Sequence, residues 1–263
     1  MVSLTNVSVT YKGAPEPAVK DVTLSIAPGE RVGIVGESGS GKSTLAAAIL
    51  RSLPESARVD GQISFKGEDL GKRSSSQFRS LRSVRLAHIP QDPLANLNPV
   101  IRIGNQLRDA IRAHRNVRKA ACIDIIEDAL AEVGIPEPEI KRKSFPHELS
   151  GGMRQRVLIA MSLINQPEFL IADEPTTALD ATVQAQILEL LQQELSSREM
   201  SLLLITHDIG VVAELCSRIV VMRHGVIVEE GTLEEMSRNA THPYTKQLFD
   251  AAHMEFGAGK EVA

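Results

Sequence analysis

Cysteine is nearly absent from this 263-residue chain: Cys122 and Cys216 are the two copies, and neither belongs to a C-x-x-C pair. A disulfide framework is therefore excluded, and a reducing cytosol is the compartment that fits. Long apolar runs are missing as well. Runs such as Val157–Ile164, broken by Ser162, and Leu202–Ile205 fall well short of the roughly 18 residues of a membrane span. The N-terminus (MVSLTNVSVTYKG) has neither the charged start nor the apolar centre of a signal peptide, so any membrane role is expected to use another chain. Excess charge is lacking too. With 29 Lys+Arg against 33 Asp+Glu the net charge is −4, which argues against a general electrostatic grip on nucleic acid or anionic lipid. There is no internal repeat and no low-complexity stretch. What remains is the composition of a soluble globular protein, long enough for one large domain or one domain with a subdomain.

The charge is unevenly spread. Lys66 to Lys119 holds 12 basic and 4 acidic residues, a local +8 that leaves −12 for the rest. A solvated helical face and a docking surface for a partner are both open readings.

Hydropathy patterning changes along the chain. Val2, Leu4, Val7 and Val9, then Val19, Val22, Leu24 and Ile26, alternate with polar residues up to the Pro28-Gly29 turn. That period of two predicts antiparallel strands with one buried face, and Gln62–Lys66 is a further strand-like piece. From Arg31 short apolar runs without alternation recur: Val32–Val35, Arg85–Ile89, Phe169–Ala172, Leu202–Thr206 and Arg218–Met222. Between them lie helix-period stretches, Leu45–Leu50 and Ala181–Leu195, the second with Asp180 placed as N-cap. Such interleaving predicts an α/β fold with a mostly parallel sheet covered on both faces. Residues 98–150 carry no strand run; Ile123–Val133 reads as a helix stopped by Gly134, within a helical insert. The expected organisation is one domain over 1–240, with its helical subdomain over about 98–150. A short polar tail over 241–263 reads as loosely held.

Gly36-Glu37-Ser38-Gly39-Ser40-Gly41-Lys42-Ser43 fits G-x-x-x-x-G-K-[ST] in full, between a predicted strand and a predicted helix. Its glycines let backbone N–H groups curl around phosphate oxygens, and the helix start adds positive partial charge. Lys42 can reach the β- and γ-phosphates, and the Ser43 hydroxyl can ligate Mg²⁺. Phe169–Glu174 is an apolar strand ending in two carboxylates, which point to opposite sides. That suits Asp173 to the Mg²⁺ shell and Glu174 to the attacking water. A second anion site is built into Leu149–Arg156 (LSGGMRQR), where Ser150 caps a helix behind the exposed N–H groups of Gly151 and Gly152.

This last segment resembles the signature motif, beginning LSGGQ, of the ATPase subunits of ATP-binding cassette transporters; Met153 stands where that family usually has Gln. The resemblance covers roughly residues 2 to 231 and implies a P-loop nucleoside triphosphatase core with an N-terminal antiparallel β subdomain and an inserted helical subdomain. It implies further roles in order. Tyr11 resembles the aromatic that stacks on adenine. Gln91, in Ile89–Pro93, resembles the glutamine that touches Mg²⁺ and senses the membrane partner. Ala178-Leu179-Asp180 resembles the loop crossing the dimer interface, and His207 the histidine contacting the γ-phosphate. ATP contacts are thus expected from Tyr11, Gly36 through Thr44, Gln91, Ser150, Gly151, Gly152, Asp180 and His207. Catalysis is expected from Lys42, Glu174 and His207, and Mg²⁺ ligation from Ser43, Gln91 and Asp173.

Two further segments, Pro90-Gln91-Asp92-Pro93 with Leu97-Asn98-Pro99 and His242-Pro243-Tyr244-Thr245, resemble importers of dipeptides, oligopeptides and nickel or other metal chelates. No chemical logic for the HPYT tetrad follows from the sequence. With no cysteine after Cys216, the iron–sulfur cluster of some relatives is not expected. The implied partners are a second ATPase subunit, a copy of this chain or a different one, two transmembrane permease subunits and an extracytoplasmic substrate-binding protein, with no nucleic acid. The implied location is peripheral, on the cytoplasmic side of the inner or plasma membrane. A DNA-repair or chromosome ATPase would need a long coiled-coil insertion, a translation-associated cassette protein would normally carry two cassettes, and a nucleotide kinase leaves Leu149–Arg156 and His207 unexplained.

Overall fold

The computed structural model describes residues 1–82, 84–177 and 179–258. Along the chain run β1 (Val2–Thr10), β2 (Val19–Ile26), β3 (Arg31–Val35), α1 (Lys42–Ile49), β4 (Arg58–Phe65) and β5 (Glu68–Asp69). There follow α2 (Ser75–Leu81), β6 (Leu86–Ile89), α3 (Pro93–Asn96), α4 (Ile103–Arg112), α5 (Lys119–Glu132), α6 (Pro138–Lys141) and α7 (Gly151–Leu163). The order closes with β7 (Phe169–Asp173), α8 (Ala181–Ser197), β8 (Ser201–Ile205), α9 (Ile209–Leu215), β9 (Arg218–Arg223), β10 (Val226–Thr232), α10 (Leu233–Asn239) and α11 (Pro243–Ala258).

Two compact units emerge, Met1–Arg73 with Ser201–Ala263, and Ser74–Met200. In the first, β1 is the centre of an antiparallel sheet of order β2-β1-β4-β5. Val2 lies opposite Ile26, and Leu4 opposite both Leu24 and Ile63. The apolar residues of β1 and β2 bury one face, and the three-residue steps from Leu4 to Val7 and from Val19 to Val22 fall where the register of the pair shifts, as at a β-bulge. The same unit holds a second layer in which β3 runs parallel to both β8 and β9, pairing Ile34 with Ile205 and with Val220. All three strands are apolar on both faces, which is the signature of strands covered on two sides. Strand β10 turns back antiparallel to β9. That strand has no counterpart in the sequence reading; its marker is the His224-Gly225 turn, whose two residues sit at φ 48° and 85°, the geometry of a two-residue hairpin.

The second unit pairs β6 with β7 in parallel, Leu86 against Phe169 and Ile89 against Ala172. Residues 98–150 contain helices and no strand among the described residues. Ile103, Leu107 and Ile111 form the buried stripe of α4, and Gly134, at φ 70°, ends α5. Asp180 caps α8 by accepting the Val183 N–H at 3.0 Å. The basic segment divides, Lys66 to Arg73 in the first unit and the rest in the second.

Several sequence expectations are revised. Helix α1 begins at Lys42 rather than Leu45, α5 at Lys119 rather than Ile123, and β4 at Arg58 rather than Gln62. The residues after Thr241, read as loosely held, form α11, in which Tyr244, Thr245 and Phe249 are buried. The spacing of Tyr244 and Phe249 gives the polar segment an apolar edge that average polarity conceals.

Candidate active site

The loop Gly36–Gly41 leaves the end of β3 and enters α1 directly. Gly36 and Gly41 sit at φ 153° and 103°, and neither can carry a side chain. A Cβ on Gly36 would lie 2.1 Å from the Met222 carbonyl oxygen, and one on Gly41 2.6 Å from that of Ala18. Gly39 is different: a Cβ there meets nothing within 4 Å, so this side of the loop is open. Helix α1 has no side-chain cap at Gly41, and the N–H groups of its first turn point out of the helix end. The Lys42 ammonium, buried at 7% exposure, donates to the Gly36 and Glu37 carbonyls at 2.6 and 2.9 Å. A cation is thereby centred in a ring of backbone, an arrangement suited to a polyphosphate. The Tyr11 hydroxyl lies 3.2 Å from the Thr44 hydroxyl, so the half-buried Tyr11 stands beside the first turn of α1.

The loop is held from behind. The Gly225 N–H donates to the Ser40 carbonyl at 3.0 Å, and the Lys20 N–H donates to the Gly225 carbonyl at 2.8 Å. Tyr244 of α11 accepts the Glu37 N–H on its hydroxyl at 2.7 Å. Sequence reasoning missed Gly225 and Arg223, whose guanidinium lies 4.7 Å over the Tyr244 ring, and named Tyr244 without a role. The one available signal was the HPYT tetrad. Within the same unit, His207 is exposed just after β8. The next residue, Asp208, accepts the Gly210 and Val211 N–H groups and so caps α9.

In the second unit the apolar strand β7 ends at Asp173, and Glu174 turns sharply at φ 49°, the left-handed region that non-glycine residues enter at a cost. Three contacts secure the turn. The Thr177 hydroxyl donates to Glu174 Oε2 at 2.6 Å, and the Thr177 N–H to the Glu174 carbonyl at 3.3 Å. The Gln155 side chain, 2% exposed, donates to the Pro175 carbonyl at 2.7 Å. Gln155 projects from α7, whose N-cap Ser150 accepts the Met153 N–H at 3.3 Å and keeps its own O–H to donate. Gly151 is open on its Cβ side, whereas a Cβ on Gly152 would lie 2.7 Å from Val183 Cγ1. The starts of α7 and α8 therefore pack closely at Gly152 and Val183. Gln91 is exposed after β6, one residue before the α3 cap Asp92. Ala178, in the expected interface loop, lies outside the described residues.

The donor chemistry matches the group the sequence implies. Ser43 in the first unit offers a hydroxyl oxygen, and Asp173 and Gln91 in the second offer a carboxylate and an amide oxygen; each by itself is of the hard oxygen type that Mg²⁺ takes together with phosphate oxygens. Among the described residues no cluster of three or more His, Cys, Asp or Glu side chains forms a metal site by itself.

A family model described as ABC transporter matches residues 19–177. The dipeptide transport ATP-binding protein DppD of Bacillus subtilis is 46% identical over 245 residues, 92% of this chain and 73% of its own length. The oligopeptide transport ATP-binding protein OppD of the same organism is 41% identical over 265 residues, 99% of this chain and 74% of its own. Among solved structures, the ATP-binding cassette MJ0796, in a dimeric post-hydrolysis state bound to ADP and Pi, superposes with a TM-score of 0.78 at 29% identity. It covers 89% of this chain and 99% of its own.

Proposed function

This chain belongs to the ABC transporter family, and we propose that it is the ATP-hydrolysing subunit of an importer for peptides. One observation carries the reading: a complete P-loop on β3–α1 and a capped, glycine-opened helix start at Ser150–Gly152 occur in one chain. A kinase has use for the first and none for the second. The cargo class rests on the dipeptide and oligopeptide transport names of the relatives above.

The proposed division of labour follows the chemistry of each side chain. Lys42 and the N–H groups of the α1 start counter phosphate charge, and Tyr11 lies against the adenine. Ser43, Asp173 and Gln91 would hold Mg²⁺, which supplies charge neutralisation on the phosphates when bound. Glu174 accepts a proton from the attacking water, and His207 donates to the γ-phosphate. Ser150, Gly151 and Gly152 offer their donors to nucleotide on a second ATPase subunit, with Asp180 as a further contact, because phosphoryl transfer is accelerated mainly by positioning and electrostatics. Among the described residues no helix is long and apolar enough to cross a membrane. Passage of cargo therefore falls to separate permease subunits, with a substrate-binding protein delivering it and this chain held peripherally on the cytoplasmic side. Exposed Arg112 on α4 belongs to the basic segment proposed to dock on them.

Reconstitution of this chain with its permease subunits in vesicles tests the proposal. ATP-dependent uptake of a di- or oligopeptide is the expected result. ATP hydrolysis that no permease or peptide alters would overturn it.

A further inference from the structure

The HPYT tetrad acquires a chemical logic from its place in the fold. Its anchor is Glu229 on β10, whose carboxylate accepts the Thr241 N–H at 2.6 Å, the Thr241 hydroxyl at 2.9 Å and the His242 N–H at 3.1 Å. Burial alone would raise this carboxyl, but these donors override it and hold it down to about 2, so the anchor stays charged. His242 then accepts the Tyr244 N–H on Nδ1 at 3.2 Å. That sequence of bonds fixes the first turn of α11 and sets the Tyr244 ring, 2% exposed, under the Arg223 guanidinium. The tyrosine hydroxyl ends on the Glu37 N–H. The Glu37 carbonyl is itself occupied, by the Lys42 ammonium at 2.9 Å and the Ser40 N–H at 3.1 Å.

The Glu37 residue is therefore clamped at both of its polar backbone groups, and one jaw is supplied from more than 200 residues away in sequence. The Glu37 N–H shares one planar peptide unit with the Gly36 carbonyl, which accepts the Lys42 ammonium at 2.6 Å, so holding the N–H also holds that carbonyl in place. We propose that Tyr244 is a positioning residue for the P-loop: through its hydroxyl and the Glu37 backbone it sets the Lys42 ammonium for the nucleotide phosphates. Helix α11 thus acts as a strut behind the phosphate site rather than as a tail. The inference rests on the reading of the P-loop as the ATP site.

The test uses the full chain, with ATP and Mg²⁺ titrated against wild type, Tyr244→Phe, Lys42→Ala and the double variant. Tyr244→Phe keeps the ring under Arg223 and removes only the hydroxyl. A part-buried N–H that loses its partner corresponds to about a tenfold change in an equilibrium. ATP affinity is therefore expected to fall about tenfold, and the unfolding midpoint by a few degrees, about 2–4 °C per kcal/mol. In the Lys42→Ala background the same change is expected to cost little more, since coupled groups are not additive. Unchanged affinity in Tyr244→Phe, or an equal loss in both backgrounds, overturns the proposal. Amide hydrogen exchange on the wild-type chain gives an independent check: the Glu37 N–H should be protected, and fast exchange there also overturns it. Failure of the wild type to bind ATP would instead remove the underlying reading of the loop.

Discussion

Gln155→Met is the perturbation that separates support of the Glu174 turn, proposed for catalysis, from support of the fold. Gln155 is almost wholly buried and gives its amide N–H to the Pro175 carbonyl, next to Glu174. Methionine conserves volume and flexibility but leaves that carbonyl without its donor. An orphaned buried acceptor costs about 1–3 kcal/mol, against a typical domain stability of about 5–15 kcal/mol. The variant should remain folded, with its unfolding midpoint lowered by about 2–10 °C. The effect on turnover should be larger in proportion. Glu174 sits at φ 49°, so its backbone has a lower-energy conformation to relax into once the following carbonyl is released. A displacement of about 1 Å of a catalytic group can cost about 10²-fold. Steady-state ATP turnover, beside nucleotide affinity and thermal unfolding of the same preparations, reads both effects. The expected outcome is a turnover at least about tenfold lower with ATP affinity unchanged. A lowered midpoint with wild-type turnover would show that the amide supports only the fold.

Other outcomes follow from single contacts. Glu174→Gln should lower turnover by about 10²–10⁴-fold while ATP still binds, as equilibrium binding and product release will show. Gly36→Ala should abolish ATP binding, because its Cβ would meet the Met222 carbonyl at 2.1 Å and the loop must move; wild-type affinity would refute this. Burial, reinforced by the Arg82 charge, lowers His88 to about 4. Between pH 6.5 and 4 the unfolded chain therefore binds a proton that the folded chain does not, and stability falls as pH falls through that window. Replacing His88 with Gln should flatten that part of a denaturation profile measured against pH.

The five apolar runs read from the sequence are β3, β6, β7, β8 and β9, because strands buried on both faces leave unbroken hydrophobic segments. The alternating residues of β1 and β2 were equally legible, as were the phosphate loop and the capped start of α7, since each depends on residues adjacent in the chain. The missed features depend on residues distant in sequence. The contact of Tyr244 with Glu37 and that of Gln155 with Pro175 link separate elements, and hydropathy patterning carries no information on such pairs. Strand β10 escaped notice because Glu229 and Glu230 interrupt its apolar pattern. The carboxylate of Glu229 faces a built polar cage rather than a core.

The central claim is that this chain hydrolyses ATP together with a second ATPase subunit, to whose nucleotide it offers its own helix start at Ser150. The most direct measurement is ATP turnover of the reconstituted transporter carrying Ser150→Arg, beside ATP binding to the isolated chain. The account predicts turnover at half of wild type or below, with binding to the P-loop unchanged. Full turnover by the Ser150→Arg transporter would contradict it.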